Sequence, residues 1–229
     1  MRRVVRRLLT LLASPELAID PLHALQASYD AVAEEYVRRI GRELEAKPFD
    51  RALLDRFAAR LAGQGPVWDL GCGPGHVARY LLDRGVTVAG LDLSAALIAC
   101  AKQCNPTIPF DQGDFRRLPA PDHAWAGIVA FYSIIHLPRE EVTPTLVEWR
   151  RATRPGGLLL LAVHLGENAL HLEEWWGQRV DVDFGFFQTQ ELVGYLEASG
   201  WHIEETMERD PYPGVETQTR RVYILANAS

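Results

Sequence analysis

One stretch of the chain decides its fold, Val67-Trp68-Asp69-Leu70-Gly71-Cys72-Gly73-Pro74-Gly75-His76. A short apolar run ends at Leu70, and glycines follow at alternate positions. Glycine permits a sharp turn and a close approach of the backbone to a ligand, and a helix N-terminus beyond it offers free N–H groups. The stretch therefore predicts a strand, a ligand-binding turn and a helix. The dinucleotide fingerprint has its last glycine one residue later, where this chain has His76, so an NAD or FAD enzyme is disfavoured.

Strands and helices alternate around this stretch. Helical periodicity precedes it from Tyr29 to Leu44 and from Phe49 to Leu61. Further predicted strands are at 86–91, 108–112, 125–131 and 158–163, with helical segments between them. This alternation predicts an α/β, doubly wound and mostly parallel sheet. A helix near 190–199 then leads into two strands, at 201–207 and about 221–226, that no helix separates, which predicts an antiparallel C-terminal strand.

Composition narrows the class of protein. The 229 residues include 30 acidic and 24 basic side chains, for a net charge of −6. Nucleic-acid binding needs clustered Lys and Arg, so this balance disfavours it. Cys72, Cys100 and Cys104 form neither a disulfide framework nor a four-ligand zinc site, and they favour a reducing cytoplasm. No acidic pattern supplies a magnesium site, and we expect no metal.

The first residues, MRRVVRRLLTLL, allow three interpretations. Their apolar positions share one helical face, which is compatible with a weak membrane-surface helix, a packing or oligomerisation arm, or a frayed extension. The run is too short and interrupted for a signal peptide or a membrane span, so we favour the last two and expect no membrane partner. We assign residues 1–28 to an N-terminal extension and residues 29–229 to a single domain.

Two acidic residues follow the glycine turn at predicted strand ends. Asp92 comes about twenty residues later, where a carboxylate accepts the hydroxyls of a ribose in dinucleotide folds. Helix capping is the simpler alternative. In Gly113-Asp114-Phe115, Asp114 is placed to accept a hydrogen bond from an adenine amino group, while Phe115 or Leu93 covers the ring.

Together, Asp69–Gly75, Asp92, Asp114–Phe115 and Pro155–Gly157 resemble the ordered motifs of class I S-adenosylmethionine-dependent methyltransferases. The resemblance covers about Tyr29 to Ala226. It implies a Rossmann-like seven-stranded sheet with an antiparallel last strand, and S-adenosyl-L-methionine as cofactor. It also implies that the glycine loop holds the methionine part, Asp92 the ribose and Asp114 the adenine.

A lid helix is a second element of the resemblance. Tyr29-Asp30-Ala31-Val32-Ala33-Glu34-Glu35-Tyr36 is similar to the Tyr-Asp-x-x-Ala-x-x-Tyr helix that folds over the cofactor in many small-molecule members. Packing in the helix core is the alternative for both tyrosines. The candidate cofactor-binding residues are Tyr29, Tyr36, Asp69, Gly71, Cys72, Gly73, Gly75, Asp92, Leu93, Asp114, Phe115 and Tyr132.

The end of the fourth strand, Phe131–Leu137, is expected to face the reactive methyl group. Methyl transfer depends on alignment and the exclusion of water, and it needs a general base only if the acceptor arrives protonated. His136 is the candidate base because imidazole titrates near neutral pH. A structural histidine that holds the loop is the alternative.

The segment Gly166–Phe187 contains five aromatic residues with interleaved acids, which predicts a lid insertion over a flat or cationic organic acceptor. The alternative is that these aromatics only bury the lid. The candidate substrate-binding residues, from this segment and the final hairpin, are Trp175, Trp176, Phe186, Tyr212 and Arg220. Arg221 is the alternative to Arg220 for binding an acidic substrate group, and solvated strand charges are the simpler interpretation of both. We expect a monomer or homodimer that methylates oxygen or nitrogen of a small molecule. A nucleic-acid base methyltransferase and a catalytically silent cofactor-binding partner protein are the alternatives.

Overall fold

The computed structural model describes residues 20–167 and 169–228, so the Arg-rich segment 1–12 lies outside the described residues. Helices α1 to α6 are Pro21–Ile40, Pro48–Leu61, His76–Leu82, Ala95–Cys104, Arg139–Ala152 and Thr189–Ala198. Strands β1 to β9 are Val67–Leu70, Val88–Asp92, Phe110–Gln112, Trp125–Phe131, Thr153–His164, Ala169–Trp175, Gln178–Gly185, Trp201–Arg209 and Arg221–Ala228. Short 3-10 helices are Glu43–Ala46 and Ile134–His136.

Seven strands form one sheet in the order β3-β2-β1-β4-β5-β9-β8. Strands β1 to β5 pair in parallel, and β9 runs antiparallel to both β5 and β8. The fold is thus the expected doubly wound α/β sheet with an antiparallel C-terminal strand. The strand order reverses between β1 and β4, and crevices at such points, beyond the carboxyl ends of the strands, are where open sheets bind ligands.

The central strands are covered on both faces. Every residue of 158–163 on β5 is buried, which explains its continuous apolar run. On one face Phe57 of α2 joins the core, and on the other Trp149 of α5 is fully buried. The Trp149 Nε1–H donates to the carbonyl oxygen of Phe115 at 2.9 Å. This bond ties α5 to the loop that follows β3 and thereby positions one wall of the site.

Helix α1 differs from its prediction at both ends. It begins at Pro21, with the carboxylate of Asp20 accepting from the Leu22 N–H, rather than at Tyr29. It ends at Ile40, and Leu44 belongs to the next 3-10 helix. The added N-terminal turns are stabilised by long-range contacts, which helical periodicity does not reveal.

The lid insertion predicted at Gly166–Phe187 folds as a β-hairpin. The sequence analysis expected the insertion but not its two strands. Strands β6 and β7 pair antiparallel in a separate two-stranded sheet. The turn is Trp176-Gly177, with φ of 52° and 81°, and positive φ at both central residues matches the twist of a hairpin. Most residues of β6 are exposed, so the strand lacks the apolar alternation that would reveal it.

The hairpin and α1 pack together, and we refer to them jointly as the cover. Val32 of α1 forms a small core with Val180 and Val182 of β7. The Ser28 hydroxyl oxygen accepts from the Asp181 N–H at 2.9 Å. Two segments far apart in sequence therefore close over the carboxyl ends of the strands as one unit. In the described part of the chain, no helix is long and apolar enough to cross a bilayer.

Replacing Trp149 with Phe tests the contact that positions the loop after β3. Loss of the indole N–H leaves the Phe115 carbonyl without its partner, so we expect the free energy of unfolding to fall by about 1–3 kcal/mol. Chemical denaturation monitored by circular dichroism measures this change. The control is Val147→Ala at an exposed position of the same helix, with an expected change of about 0.5 kcal/mol or less. Equal stabilities of both variants would contradict the assignment.

Candidate active site

The glycine turn lies at the end of β1, and its three glycines have different surroundings. Gly71 and Gly75 have φ of 75° and 77°, and a Cβ at either would clash with Ser133 or Phe110, respectively. Both are therefore required by the turn and by packing. Gly73 differs because a Cβ there would meet only Tyr36, at 3.6 Å. Gly73 is thus the glycine whose backbone borders open space.

Asp92 holds this turn in place. Its Oδ2 accepts from the Gly73 N–H at 2.8 Å, and its Oδ1 accepts from the Ser94 N–H at 2.9 Å. Burial raises the pKa of Asp92, and these backbone hydrogen bonds oppose the rise. The Ser94 hydroxyl donates to Asp30 of α1, whose carboxylate also accepts from the Ala96 N–H at 3.0 Å. Asp92 and Ser94 thus join the glycine turn, α4 and the cover.

A first cavity of about 570 Å³ lies over the ends of β1, β2 and β3. Four of the candidate cofactor-binding residues line it: Asp92, Leu93, Asp114 and Phe115. Asp114 is also engaged by Arg116, whose Nε lies 2.9 Å from its Oδ2. This ion pair was not foreseen, and it orients the Asp114 carboxylate at the edge of the cavity.

A second cavity of about 510 Å³ adjoins the first. The two share six lining residues: Tyr29, Tyr36, Gly71, Gly73, Phe131 and Tyr132. Beyond this junction, ionisable side chains line the second cavity, among them Glu43, Lys47, His76, His164, Glu216 and Arg221. The part of a ligand that lies beside the glycine turn in the first cavity therefore also borders the second cavity.

The charges around the second cavity form a buried network. Lys47 Nζ lies 2.7 Å from Glu43 and 3.3 Å from Glu216, and Glu216 also contacts Arg209 and Arg221. Burial opposes ionisation of Glu43, but His76 and Lys47 lower its pKa to about 2. Buried ion pairs carry a large desolvation cost and are weak evidence for stability. The network thus surrounds one end of the second cavity with paired charges of both signs.

Tyr132 stands between the two cavities. Its φ is 56°, an unusual value for a bulky residue, and such strain of about 1–3 kcal/mol is concentrated at functional sites. Its ring stacks on His164, with centroids 4.7 Å apart and an interplanar angle of 29°. Its hydroxyl lies 3.2 Å from that of Tyr223. These contacts hold the Tyr132 side chain at the boundary between the two cavities, and it lines both of them.

His136 links three elements of the site. Its Nδ1 lies 2.8 Å from the carbonyl oxygen of Asp183 and must donate, so Nε2 accepts from the Tyr29 hydroxyl, also at 2.8 Å. Burial lowers the pKa of His136 to about 4, against the raising effect of the Asp183 hydrogen bond. The neutral ring therefore joins the end of β4 to both parts of the cover. This geometry accounts for a holding role, and action as a base stays a prediction.

An aromatic cluster forms the underside of the cover. Tyr36 meets Trp175 edge-to-face at 5.8 Å and Trp176 at 6.1 Å. Of the two tryptophans predicted to bind substrate, Trp175 lines the second cavity. Trp176 packs on Tyr36 and lies 5.0 Å below the guanidinium of Arg39. Only Trp175 is therefore placed to meet a ligand.

The structure does not bring the other three candidate substrate residues to either cavity. Tyr212 accepts a hydrogen bond from the Phe49 N–H at 3.1 Å. Arg220 is 58% exposed and pairs with acidic side chains at the surface. Phe186 packs on His164, with ring centroids 6.1 Å apart, and is not among the lining residues. Their placement gives no support to the predicted substrate contacts.

Asp69 and Cys72 are buried beside the glycine turn. Asp69 accepts from the Ala78 N–H at 3.1 Å, in the first turns of α3, and burial raises its pKa to about 7. Burial also raises the pKa of the Cys72 thiol. Both line the second cavity, although the thiol packs so close to β2 that a Cβ on Gly90 would lie 2.9 Å from its sulfur.

The sequence analysis missed Glu43, Lys47 and His76 as parts of the site. Glu43 and Lys47 are separated by one helical turn, which gives no more than an ordinary local ion pair. Glu216, which contacts Lys47, and Arg221, which contacts Glu216, follow more than 150 residues later. No spacing signal could have found this long-range cluster.

Comparisons with known proteins bear on the family of the chain and on its fold. A family model described as a methyltransferase domain matches residues 67–157. A malonyl-[acyl-carrier protein] O-methyltransferase of Enterobacter lignolyticus is 29% identical over 157 residues, 67% of this chain and 58% of that protein. A sterol 24-C-methyltransferase of Gibberella zeae is 32% identical over 174 residues, 68% of this chain and 45% of that protein. The chain therefore spans about half the length of these relatives.

Solved structures support the fold. A chain in the complex between the Haloferax volcanii Trm112 methyltransferase activator and a methyltransferase superposes with a TM-score of 0.67. The identity is 22%, and the match covers 89% of this chain and 97% of that one. With the family model and the named relatives, these findings define a class: residues 67–157 form a methyltransferase domain, set in the α/β fold shared with the solved structure.

Replacing Asp92 with Ala tests the ribose assignment. Hydrogen bonds to a charged group are worth roughly 1.5–3 kcal/mol, so we expect affinity for S-adenosylhomocysteine to fall about 10–100-fold. Isothermal titration calorimetry measures it. Asp111→Ala, at an exposed position on β3, is the control and should leave the affinity unchanged. Wild-type affinity in the Asp92 variant would refute the assignment.

The lowered pKa of His136 predicts a pH dependence of stability. The unfolded chain takes up a proton near pH 6.5, whereas folded His136 resists protonation down to about pH 4. Its stabilising effect is thus complete above pH 6.5 and is lost as the pH falls towards 4. We expect His136→Phe to lose less stability over this range in urea denaturation. The control is His202→Phe, at an exposed position, and a pH profile matching wild type in the His136 variant would contradict the prediction.

Proposed function

We propose that this protein transfers the methyl group of S-adenosyl-L-methionine to an oxygen of a small-molecule acceptor, with nitrogen as the alternative. The observation that carries the proposal is the meeting of two cavities at Gly71, Gly73 and Tyr132. One cavity has the polar groups that a nucleoside needs, and the other is separate, charged and partly aromatic. A two-substrate transfer requires such an arrangement.

The residues of the first cavity fit the cofactor. Each carboxylate oxygen of Asp92 accepts one hydrogen bond in the structure and has capacity for another, which suits two ribose hydroxyls. The Ser133 hydroxyl is buried in the cavity wall without a hydrogen-bond partner among the described residues. A buried polar group of this kind is usually satisfied, so a ligand is a fitting partner for it. We assign the adenine to Asp114, Phe115 and Leu93.

When bound, the cofactor supplies an activated methyl group on a sulfonium. The protein has to align the acceptor with it and exclude water. Gly73 allows the backbone to approach the methionine part, and Tyr132 divides the two cavities. Tyr29 and Trp175 close the site from above through the cover. No general base is obligatory, and the Nε2 of His136 is already occupied by the Tyr29 hydroxyl.

The relatives bear on the acceptor. The Enterobacter protein is named for O-methylation of malonyl-[acyl-carrier protein], and the Gibberella protein for C-methylation of a sterol. Both names support an organic acceptor, but they differ in the atom that is methylated. We therefore infer the accepting atom from the site itself. The aromatic side chains of the second cavity fit a small organic molecule better than a nucleic-acid strand. Three free cysteines fit our proposal of a cytoplasmic location.

Calorimetric titration tests this proposal directly. We expect saturable binding of S-adenosylmethionine and S-adenosylhomocysteine and no binding of NADH. Gly73→Val should abolish binding, because a branched side chain at φ 50° strains the turn and fills the approach to the ligand. Gly85→Val is the matched control, since Gly85 also has positive φ (79°) but has nothing within 4 Å of an added Cβ.

Two results would contradict the proposal. One is a folded wild-type protein that binds neither methionine-derived ligand, with or without candidate acceptors. The other is a Gly73 variant that binds as well as the Gly85 variant. Formation of S-adenosylhomocysteine with an acceptor, followed by a coupled homocysteine assay, would extend the test from binding to methyl transfer.

A further inference from the structure

Resting on the proposed function, we infer that the second cavity takes an acceptor that carries a carboxylate, and that this carboxylate is the group methylated. Arg221, Lys47 and His164 would bind it. The inference goes beyond methyl transfer to an oxygen, because it names the chemical class of the acceptor. It rests on unpaired buried groups and on the distribution of charge in the cavity wall.

Arg221 supplies the first observation. Only 1% of its side chain is exposed, and its terminal nitrogens donate to the carbonyls of Thr217 and Thr219 and contact Glu216. Its Nε–H is buried and has no hydrogen-bond partner among the described residues. A buried donor left unpaired costs about 1–3 kcal/mol, and charged groups cost more. Since Arg221 lines the second cavity, an anionic ligand is the partner that offsets this cost.

His164 supplies a second, independent observation at the same end of the cavity. It pairs with Arg221 across β5 and β9, and its Nδ1 lies 2.8 Å from the Thr219 hydroxyl. Burial and then the charges of Arg221 and Lys47 lower the pKa of His164 to about 4, against the opposite effects of the nearby glutamates. The positive charges therefore outweigh the negative ones at this ring. Its Nε2 makes no hydrogen bond among the described residues, and the residue lines the second cavity.

A carboxylate needs no general base, because it is already ionised and nucleophilic at neutral pH. A lone pair on a carboxylate oxygen forms the new C–O bond, and the C–S bond breaks with its electron pair going to sulfur. No proton moves. One sulfonium charge and one carboxylate charge disappear, giving a thioether and a neutral methyl ester. An amine would arrive as an ammonium ion and would need a base to remove its proton.

The methionine part of the cofactor also carries a carboxylate, so the test must separate the two sources. Arg221→Gln removes the unpaired guanidinium donor, and Arg60→Gln, an exposed arginine paired with Glu204, is its control. Each variant is titrated with S-adenosylhomocysteine and with 5′-methylthioadenosine, which lacks the amino acid part. If the inference holds, Arg221→Gln binds both ligands as wild type does.

Methyl transfer is then measured with wild-type protein. The probes are monocarboxylic acids of two to ten carbons, aliphatic and aromatic, each beside its primary amide and its amine. Mass spectrometry detects the products. We expect methyl esters from the acids, and we expect Arg221→Gln to lower kcat/KM for the best acid about 10–100-fold, as for loss of a charged hydrogen bond.

His164→Phe keeps the test decisive if Arg221→Gln does not fold. The phenyl ring retains the stacking on Tyr132 and removes the ring nitrogens, so kcat/KM for the acid should fall about tenfold while cofactor affinity stays unchanged. His202→Phe is its control. Tighter binding of 5′-methylthioadenosine than of S-adenosylhomocysteine by either variant would place these groups on the cofactor and overturn the inference. So would methylation of amides or amines in preference to acids. Absence of cofactor binding by wild type would instead contradict the proposed function.

Discussion

The hydrogen bonds accepted by Asp92 are the interaction on which the candidate site depends. One carboxylate fixes the Gly73 N–H, in a turn with positive φ, and the Ser94 N–H at the start of α4. Ser94 then donates to Asp30 on α1. Backbone groups in a tight turn and at a helix start have no partners in regular secondary structure, and leaving them unpaired is costly. The position of Asp92 at the end of β2 therefore organises both the floor of the site and its cover.

The architecture could be predicted because its signals are local. Gly85 and Gly200 follow the ends of α3 and α6, apolar runs mark strands such as 158–163, and the change of periodicity near Pro66 shows where the sheet begins. The side chains of the acceptor end could not be predicted in the same way. Arg220 and Arg221 are adjacent in sequence, but successive residues of a strand point to opposite faces. The sequence analysis selected Arg220, whereas the structure places Arg221 in the cavity wall and Arg220 at the surface.

The cofactor end and the acceptor end also differ in how they are built. The first cavity is formed largely by residues at strand ends, whose positions follow from the fold. This is why most of the candidate cofactor-binding residues line it. The second cavity depends on Lys47, Glu216 and their partners, which meet only through tertiary packing. The sheet does not require these buried charges. In our proposal, recognition of a ligand by these charges offsets their desolvation cost.

Helix α1 closes the site and also completes α4, because Asp30 accepts from the Ala96 N–H. Any movement that lifts this part of α1 away from α4 removes a capping partner from the first turn of that helix. Entry of a ligand and fraying of α4 then belong to one linked equilibrium. A ligand held beneath α1 would slow amide hydrogen exchange at the start of α4, some distance from the reacting atoms, and would raise the thermal stability of the whole domain by mass action.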